Sequence, residues 1–391
     1  MFNKTISIIG GTGHVGLPLG LAFADKNYKV QLIDINLKTI KNVNNGIMPF
    51  KEDGAPRILK KLIKNKKIFA TNDLEKVKFG KYVIICIGTP VNKKLKPETR
   101  NFLTFFKNLK KQLSNKHLVI IRSSVYPGIS DEVFKICKNK TKNVSYCPER
   151  IVQGKSLIEL PKLPQIVSGF TQKSINDSKK LFEIISKKII VTSIVEAELI
   201  KLFSNSYRYI MFSISNQFFK ICHDLNIDFD QLRKNMIEGY DRNSGIPKPG
   251  FTAGPCLLKD TMQLSSFLKG SFQLGYSAMT INESIPIFLI KDLEKKISLK
   301  GKTVGVLGMA FKAETDDIRD SLAIKLTEYL KKKKINFRYS DPYYKDKYIL
   351  TEKELIKKSD IIIVTAPHKK YKKIRIPKNK IVIDIWNILP K

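Results

Sequence analysis

Residues suited to metal binding or disulfide formation are scarce in this chain. Its four histidines, at positions 14, 117, 223 and 368, are too scattered to suggest a ligand set, so no metal is expected. Five cysteines (86, 137, 147, 222 and 256) contain no Cys-x-x-Cys pair, and an odd number argues against a disulfide framework. No stretch approaches the ~20 consecutive apolar residues of a membrane span, so no membrane association is expected. The strand pattern begins at Ile6, which leaves no room for a secretion signal and points to the cytoplasm. Acidic residues are also few, 35 Asp and Glu against 71 Lys and Arg, for a formal net charge of +36. A basic surface attracts phosphates, and nucleic acid is the obvious partner to consider. The lysines, however, run along the whole chain, as at Lys60-Lys61 and Lys331 to Lys334, rather than forming one tail. Nucleic acid is therefore not the expected partner. The excess suits small anionic substrates instead.

What is present is ordinary globular composition, 42% hydrophobic and 27% charged, in 391 residues, enough for two or three cores. Ile6 to Ile9, Lys29 to Asp34, Tyr82 to Ile87 and Leu118 to Arg122 read as short buried parallel strands, with a helical pattern from Leu17 to Ala24. This βαβ rhythm predicts a doubly wound sheet to about residue 195. From Ile194 to about Leu225 no strong breaker occurs, and apolar residues recur at helical spacing. Thirty helical residues would span roughly 45 Å, enough to join two domains and offer a dimer seam. After Gly301 the rhythm restarts, with strands at Thr303 to Gly308, Phe337 to Ser340, Ile361 to Thr365 and Ile381 to Ile385, and helices around Ser321 to Lys334 and Glu352 to Lys358. The expected class is α/β, two Rossmann-like doubly wound domains joined by a long central helix. The expected domains are 1–193, 194–298 and 299–391.

Gly11-Thr-Gly-His-Val-Gly16 follows a strand pattern and opens a helix pattern, and Asp34 ends the next strand. In that context the motif reads as a dinucleotide-binding fingerprint. Gly11 permits the tight turn, Gly13 lets the backbone approach a pyrophosphate, and Gly16 allows close helix packing. The helix N-terminus supplies N–H groups and a positive dipole to the phosphates. Asp34 would accept from both ribose hydroxyls and repel a 2′-phosphate, which favours NAD over NADP.

A second segment, Pro249-Gly-Phe-Thr-Ala-Gly-Pro-Cys-Leu-Leu-Lys-Asp260, places Cys256 beside Lys259 and Asp260. Its glycines and prolines predict a turn-rich path rather than a regular helix. A nearby ammonium favours the thiolate, the nucleophilic form of cysteine.

These motifs occur with others in a fixed order. Ile87-Gly-Thr-Pro90, Ser123-Ser-Val-Tyr-Pro-Gly128, Cys147-Pro-Glu-Arg150, Lys201-x-x-x-Asn205, Cys256-x-x-Lys259-Asp260, Gly308-Met-Ala-Phe-Lys312 and Thr315-Asp-Asp-Ile-Arg319 are all present. The chain thereby resembles the UDP-glucose/GDP-mannose dehydrogenase family, the nucleotide-sugar 6-dehydrogenases, along its whole length. The resemblance implies oxidation of a sugar C6 alcohol to a carboxylate, with two hydrides passing to two NAD molecules in turn. It implies Cys256 as the covalent nucleophile, Lys201 and Asn205 as oxyanion stabilisers on one helix face, and Glu149 or Asp260 as the group that activates the hydrolytic water. Ser124, where the family usually has Thr, keeps a hydroxyl that could hold that water. Gly11, Gly13, His14, Val15, Gly16, Asp34, Thr89, Ser124 and Arg319 are expected at the cofactor. Glu149, Lys201, Arg242, Phe251 and Lys312 are expected at the substrate, with Arg242 reaching across a homodimer interface.

Two features bear on the sugar. The approach to the cysteine is Ala253-Gly-Pro255-Cys256, where the family usually has two glycines, and Pro255 removes a donor and stiffens the loop. Pro148-Glu-Arg-Ile-Val-Gln-Gly-Lys155 is similar to the branch acting on UDP-N-acetylhexosamines, whereas Cys-x-x-Lys-Asp is closer to the UDP-glucose style. UDP-N-acetyl-D-mannosamine is the expected substrate, with UDP-glucose second and GDP-mannose third. A two-electron hydroxyacid dehydrogenase and a basic nucleic-acid-binding protein are the alternatives from other classes.

Overall fold

The computed structural model describes residues 2–92, 95–252 and 254–390; Ala253, in the approach to Cys256, lies outside the described residues. The chain divides into two compact units, residues 1–204 with 262–267, and residues 205–261 with 268–391.

The first unit is built on eight strands: β1 (Thr5–Ile9), β2 (Lys29–Ile33), β3 (Ile68–Thr71), β4 (Tyr82–Ile85), β5 (Leu118–Ile121), β6 (Val144–Tyr146), β7 (Gln165–Gly169) and β8 (Ile189–Val191). Their order in the sheet is β3-β2-β1-β4-β5-β6-β7-β8. All four residues of β4 and of β5 are buried, as strands covered on both faces require. Burying each of Leu118, Val119, Ile120 and Ile121 stabilises the unit by about 1.5–3 kcal/mol.

One neighbour pair breaks the otherwise parallel order: β7 runs antiparallel to β6. The link between them carries only the one-turn helix Ser156–Glu159. Nothing in the link forms the long helical crossover on which a parallel return usually depends.

The second unit contains β9 (Thr303–Leu307), β10 (Asn336–Ser340), β11 (Ile361–Val364) and β12 (Ile381–Ile383), ordered β10-β9-β11-β12 and parallel throughout. The order reverses at β9 and β11, so the loops after these strands border the crevice where such sheets take ligands. The helix Leu322–Lys332 covers this sheet through Leu322, Leu326 and Leu330, all fully buried.

The central helix runs unbroken from Ile194 to Asp224, 31 residues. The sequence places it correctly because no proline or glycine interrupts the stretch. The path around the cysteine differs from expectation. The turn-rich segment ends at Cys256, and a helix occupies Leu257–Phe267, with Asp260 N–H donating to the Cys256 carbonyl at 2.9 Å. Pro255 precedes the first turn, where proline does no harm, and no glycine or proline follows until Gly270. Among the described residues no helix is long and apolar enough to cross a membrane. No group of three or more His, Cys, Asp or Glu side chains is placed to hold a metal there either.

Candidate active site

In the first unit the glycine-rich turn closes tightly between β1 and the helix Gly16–Asp25. Gly10 and Gly11 both donate to the Ile33 carbonyl, at 2.9 and 3.1 Å. The left-handed residue is Gly10, at φ +73°, one position before the fingerprint begins. A Cβ on Gly11 would lie 2.5 Å from the Ile8 carbonyl oxygen, and one on Gly16 would strike the carbonyl of Gly10. Gly13 differs, for its nearest neighbour would be 3.4 Å away. Gly11 and Gly16 thus serve packing, while Gly13 leaves the backbone open to a ligand.

Asp34 follows β2 and accepts from Thr12 N–H at 3.0 Å through Oδ2 and from Asn36 N–H at 3.2 Å through Oδ1. Each carboxylate oxygen has a further lone pair, the acceptor capacity a ribose diol needs. The turn, the helix start and this carboxylate together fit NAD. Val15 is the residue before the helix. The His14 ring lies against Phe50 at a 41° tilt with ring centroids 4.0 Å apart, and its Nδ1 lies 2.8 Å from Gln153 Nε2.

Thr89 and Ser124 follow β4 and β5 and are joined by a hydrogen bond from Thr89 Oγ1 to the Ser124 carbonyl. Gln263 Nε2 donates to the Thr89 carbonyl at 3.0 Å, a contact that no motif announced. Glu198 is fully buried and accepts from Gly128 and Ser130 N–H at 2.8 and 3.0 Å, fixing the loop that carries Ser124. Burial pushes the Glu198 carboxyl up, against the lowering effect of those bonds.

Glu149 is buried and fully engaged. Oε2 accepts from Arg122 Nε at 3.0 Å and also from Arg122 Nη2; Oε1 accepts from the N–H groups of Arg150 and Ile151 at 2.8 and 3.1 Å. Arg122 has no exposed side-chain surface and also donates to Cys147 O and Gln165 Oε1, at 3.1 and 2.9 Å. No sequence motif includes Arg122. Its signal was an arginine at the end of the apolar run Leu118 to Ile121, since a buried arginine requires a paired anion.

In the second unit the structure brings Cys256, Lys259, Asp260 and Asn205 together. Asn205 Nδ2 donates to Asp260 Oδ2 at 2.6 Å, and Lys259 Nζ lies 2.6 Å from Asp260 Oδ1. Asp260 is completely buried. Cys256 is an exposed free thiol immediately before the helix Leu257–Phe267, where the positive end of the helix dipole favours negative charge. Cys137, Cys147 and Cys222 are buried, and burial pushes the thiols of Cys86 and Cys137 up to about 12 and that of Cys147 to about 11. Lys201 lies one turn before Asn205 on the central helix and is half-buried.

The residues of this unit expected at the substrate (Lys312, Phe251 and Arg242) and at the cofactor (Arg319) are dispersed. Lys312 Nζ lies 5.8 Å from the ring centre of Phe311, whose ring in turn fills the space beside the α-carbon of Gly254. Gly254 N–H donates to the Asp320 carbonyl at 3.3 Å, so the cysteine loop rests on the loop that carries Lys312 and Arg319. Arg319 forms a fork with Asp317, its Nη2 at 2.6 Å from Oδ2. Phe251 is buried in the core, whereas Arg242 is exposed and lies over Tyr240, 5.1 Å from the ring centre.

A largely parallel sheet whose first glycine turn closes beside a strand-end carboxylate is the frame of a dinucleotide-dependent oxidoreductase. The second parallel sheet and the exposed thiol narrow that class. The chain belongs to the UDP-glucose/GDP-mannose dehydrogenase family: the family's NAD binding domain matches residues 4–186, its central domain 195–284 and its UDP binding domain 305–391. It is an NAD-dependent nucleotide-sugar dehydrogenase. Among curated relatives it is 29% identical to a UDP-N-acetyl-D-mannosamine dehydrogenase of Pyrococcus horikoshii, over 97% of this chain and 94% of that one. It is 25% identical to a UDP-glucose 6-dehydrogenase of Rickettsia bellii, again over 97% and 94%. The solved structure of a UDP-D-ManNAc dehydrogenase from P. horikoshii superposes with a TM-score of 0.87 at 28% identity, covering 95% of this chain and 91% of that one.

Proposed function

We propose that this chain oxidises the C6 hydroxyl of UDP-N-acetyl-D-mannosamine to the uronate in the cytoplasm, with Cys256 as covalent nucleophile. The observation that carries the reading is the group Cys256, Asp260, Asn205 and Lys259: one exposed thiol at a helix start, with a buried, doubly partnered carboxylate one turn along. Several relatives bearing the N-acetylmannosamine name, at 26–29% identity, support the choice of sugar over UDP-glucose. The run Pro148 to Lys155 supports it as well.

NAD, when bound, accepts the hydride at each of the two oxidations. The protein's own work concerns the carbon between them. Cys256 Sγ, as thiolate, adds to the aldehyde carbon and forms a C–S bond, which gives a tetrahedral centre able to release hydride. Negative charge on the former carbonyl oxygen falls to Lys201 and to Asn205, whose amide keeps a second hydrogen beyond the one given to Asp260. Loss of hydride leaves a thioester. Water then attacks, the C–S bond breaks, and the thiolate returns as the carboxylate leaves.

All four groups around the Glu149 carboxylate are donors already satisfied by it, so proton abstraction there would break a buried ion pair. Asp260 is paired as well, but it follows Cys256 by one helical turn, and it takes the water-activating role in this scheme. The Glu149–Arg122 pair instead orders the turn around residues 147–151. Lys312 and Arg242 serve the nucleotide diphosphate and sugar, and Ser124 and Thr89 border the cofactor. The segments 1–193, 194–298 and 299–391 divide the work into cofactor binding, catalysis with dimerisation, and nucleotide binding. A homodimer accords with the central helix, where exposed Phe203, Tyr207, Phe218 and Ile221 fall within about 60° of one another around the axis.

The test is NADH yield with a panel of UDP-N-acetyl-D-mannosamine, UDP-glucose and GDP-mannose. Two NADH per sugar, fastest with the first, is expected. One NADH with a stable aldehyde product would refute the four-electron mechanism, and preference for UDP-glucose would refute the sugar.

A further inference from the structure

Trp386 is the only tryptophan of the chain, and no catalytic motif includes it. Its indole Nε1–H donates to the Thr365 carbonyl at 3.2 Å, just past β11. Thr365 Oγ1 in turn donates to the carbonyls of Leu307, at 3.2 Å, and Gly308, at the end of β9. The six-membered edge of the indole lies against Gly250, filling the volume that any side chain there would need. Asn216, fully buried on the central helix, holds the same residue through both amide groups, accepting from Gly250 N–H at 2.8 Å and donating to its carbonyl at 3.1 Å. Lys248 Nζ reaches the Trp386 carbonyl at 3.4 Å, while Asn387 and Lys248 both engage Asp230, at 2.8 and 3.3 Å.

Gly250 lies six residues before Cys256, in a segment with prolines at 247, 249 and 255 and, among its described residues, no regular secondary structure. Prolines supply no N–H, so the segment has few backbone bonds of its own, among them Thr252 N–H to the Gly250 carbonyl at 2.8 Å. Much of its path is set from outside, at Gly250 by Asn216 through hydrogen bonds and by the indole through ring contact. Covalent capture of an aldehyde needs the sulfur placed to a few tenths of an ångström, and about 1 Å of misplacement costs on the order of 100-fold in rate.

We propose that Trp386 is a positioning residue for the cysteine loop, holding the Gly250 segment against the ends of β9 and β11 so that Cys256 is presented in one place. The inference rests on the proposed role of Cys256. It assigns a function in the reaction to a residue remote in sequence from every motif of the site.

The experiment compares full-length wild type with Trp386→Ala and Trp386→Phe in two independent arms. In the first, hydrogen exchange is followed at residues 248–252 without any substrate. The alanine variant is expected to exchange there at least about 10-fold faster, and the phenylalanine variant close to wild type, because a ring still covers Gly250. In the second, turnover of UDP-N-acetyl-D-mannosamine with NAD is measured. For alanine, kcat should fall roughly 10–100-fold with the KM for NAD unchanged; phenylalanine should stay within about 3-fold of wild type. Should the alanine variant not fold, Trp386→Leu, which keeps bulk without the flat ring, carries the same expectation. Unchanged exchange at 248–252, or unchanged kcat, in the ring-less variant overturns the proposal. If the wild type itself turns over no nucleotide sugar, the proposed function fails, and the exchange arm still decides whether the indole braces the loop.

Discussion

Asn205 and Asp260, 55 residues apart, are joined by a 2.6 Å hydrogen bond that ties the central helix to the helix starting behind Cys256. Lys259 neutralises the same carboxylate from the other side. The relationship gives Asp260 two partners and complete burial, one turn from the proposed nucleophile. Asp260→Asn would keep the shape and remove the charge that water activation needs. If Asp260 acts at thioester hydrolysis, the variant releases a burst of NADH stoichiometric with sites and then turns over on the order of 100–10,000-fold more slowly. Intact-protein mass spectrometry should find the acyl adduct on Cys256. Slow NADH release with no burst and no adduct would move Asp260 to an earlier step.

Arg122 and Glu149 form a second buried pair, with the guanidinium wholly buried and the carboxylate nearly so. Removing one partner leaves the other uncompensated, which typically costs about 3–5 kcal/mol. Glu149→Ala is therefore expected to lower the melting temperature by roughly 6–20 °C. Joint replacement of both residues by apolar side chains should recover much of the loss. If Glu149→Ala left the melting temperature unaltered while slowing hydrolysis, Glu149 would be the water-activating group and Asp260 the structural one.

How legible these relationships were depends on the range of the forces that set them. The turn at Gly11 to Gly16, the carboxylate Asp34 and the unbroken helix from Ile194 are local, and spacing alone located them. The start of the helix at Leu257 was hidden because Gly250, Gly254 and Pro255 dominate the local pattern, although proline is compatible with the residue before a first turn. The reversal of β7 goes with a link from β6 that forms only one helical turn, which no periodicity expresses. The remaining relationships join distant residues: Arg122 to Glu149, Gln263 to Thr89 and Trp386 to Gly250 span 27, 174 and 136 positions. A single sequence shows the members of such pairs without the pairing.

The cysteines lend themselves to a selective test, because their environments differ so widely. With burial holding Cys86 and Cys137 near about 12 and Cys147 near about 11, these thiols stay protonated at pH 8, and burial also raises Cys222. The thiolate is the reactive form, so iodoacetamide at pH 8 should add one group to the native protein, at Cys256. Peptide mass spectrometry locates it, and Cys256→Ser should remain unlabelled. Comparable labelling of Cys147 in folded protein would mean that its strand end opens to solvent.

The second unit contains a titrating contact whose sign can be worked through. Asp341 Oδ2 accepts from the N–H groups of Met309 and Ala310 at 2.7 and 3.0 Å and lies 3.2 Å from His368 Nε2, while Oδ1 accepts from Tyr343 and Tyr344. The Nδ1 of His368 accepts from Glu314 N–H at 3.0 Å, so one imidazole joins the loops after β9, β10 and β11. Burial raises the Asp341 carboxyl, but the hydrogen bond from His368 Nε2–H, with the backbone donors, outweighs it and holds the group below the ordinary carboxylate range. A depressed carboxyl contributes stability above its unfolded value, near 3.9, and loses it as pH falls through the lower folded value. Wild type should therefore keep this contribution down to about pH 4. His368→Ala removes the leading stabilising partner while burial remains, so the acid limb of the stability curve should move to higher pH. The same loops border the crevice between β9 and β11, and UDP binding should weaken in parallel. Urea unfolding across pH 3–7, with calorimetric titration of UDP at pH 7, separates the two effects. An acid limb unmoved by His368→Ala would show that the backbone donors alone hold Asp341 ionised.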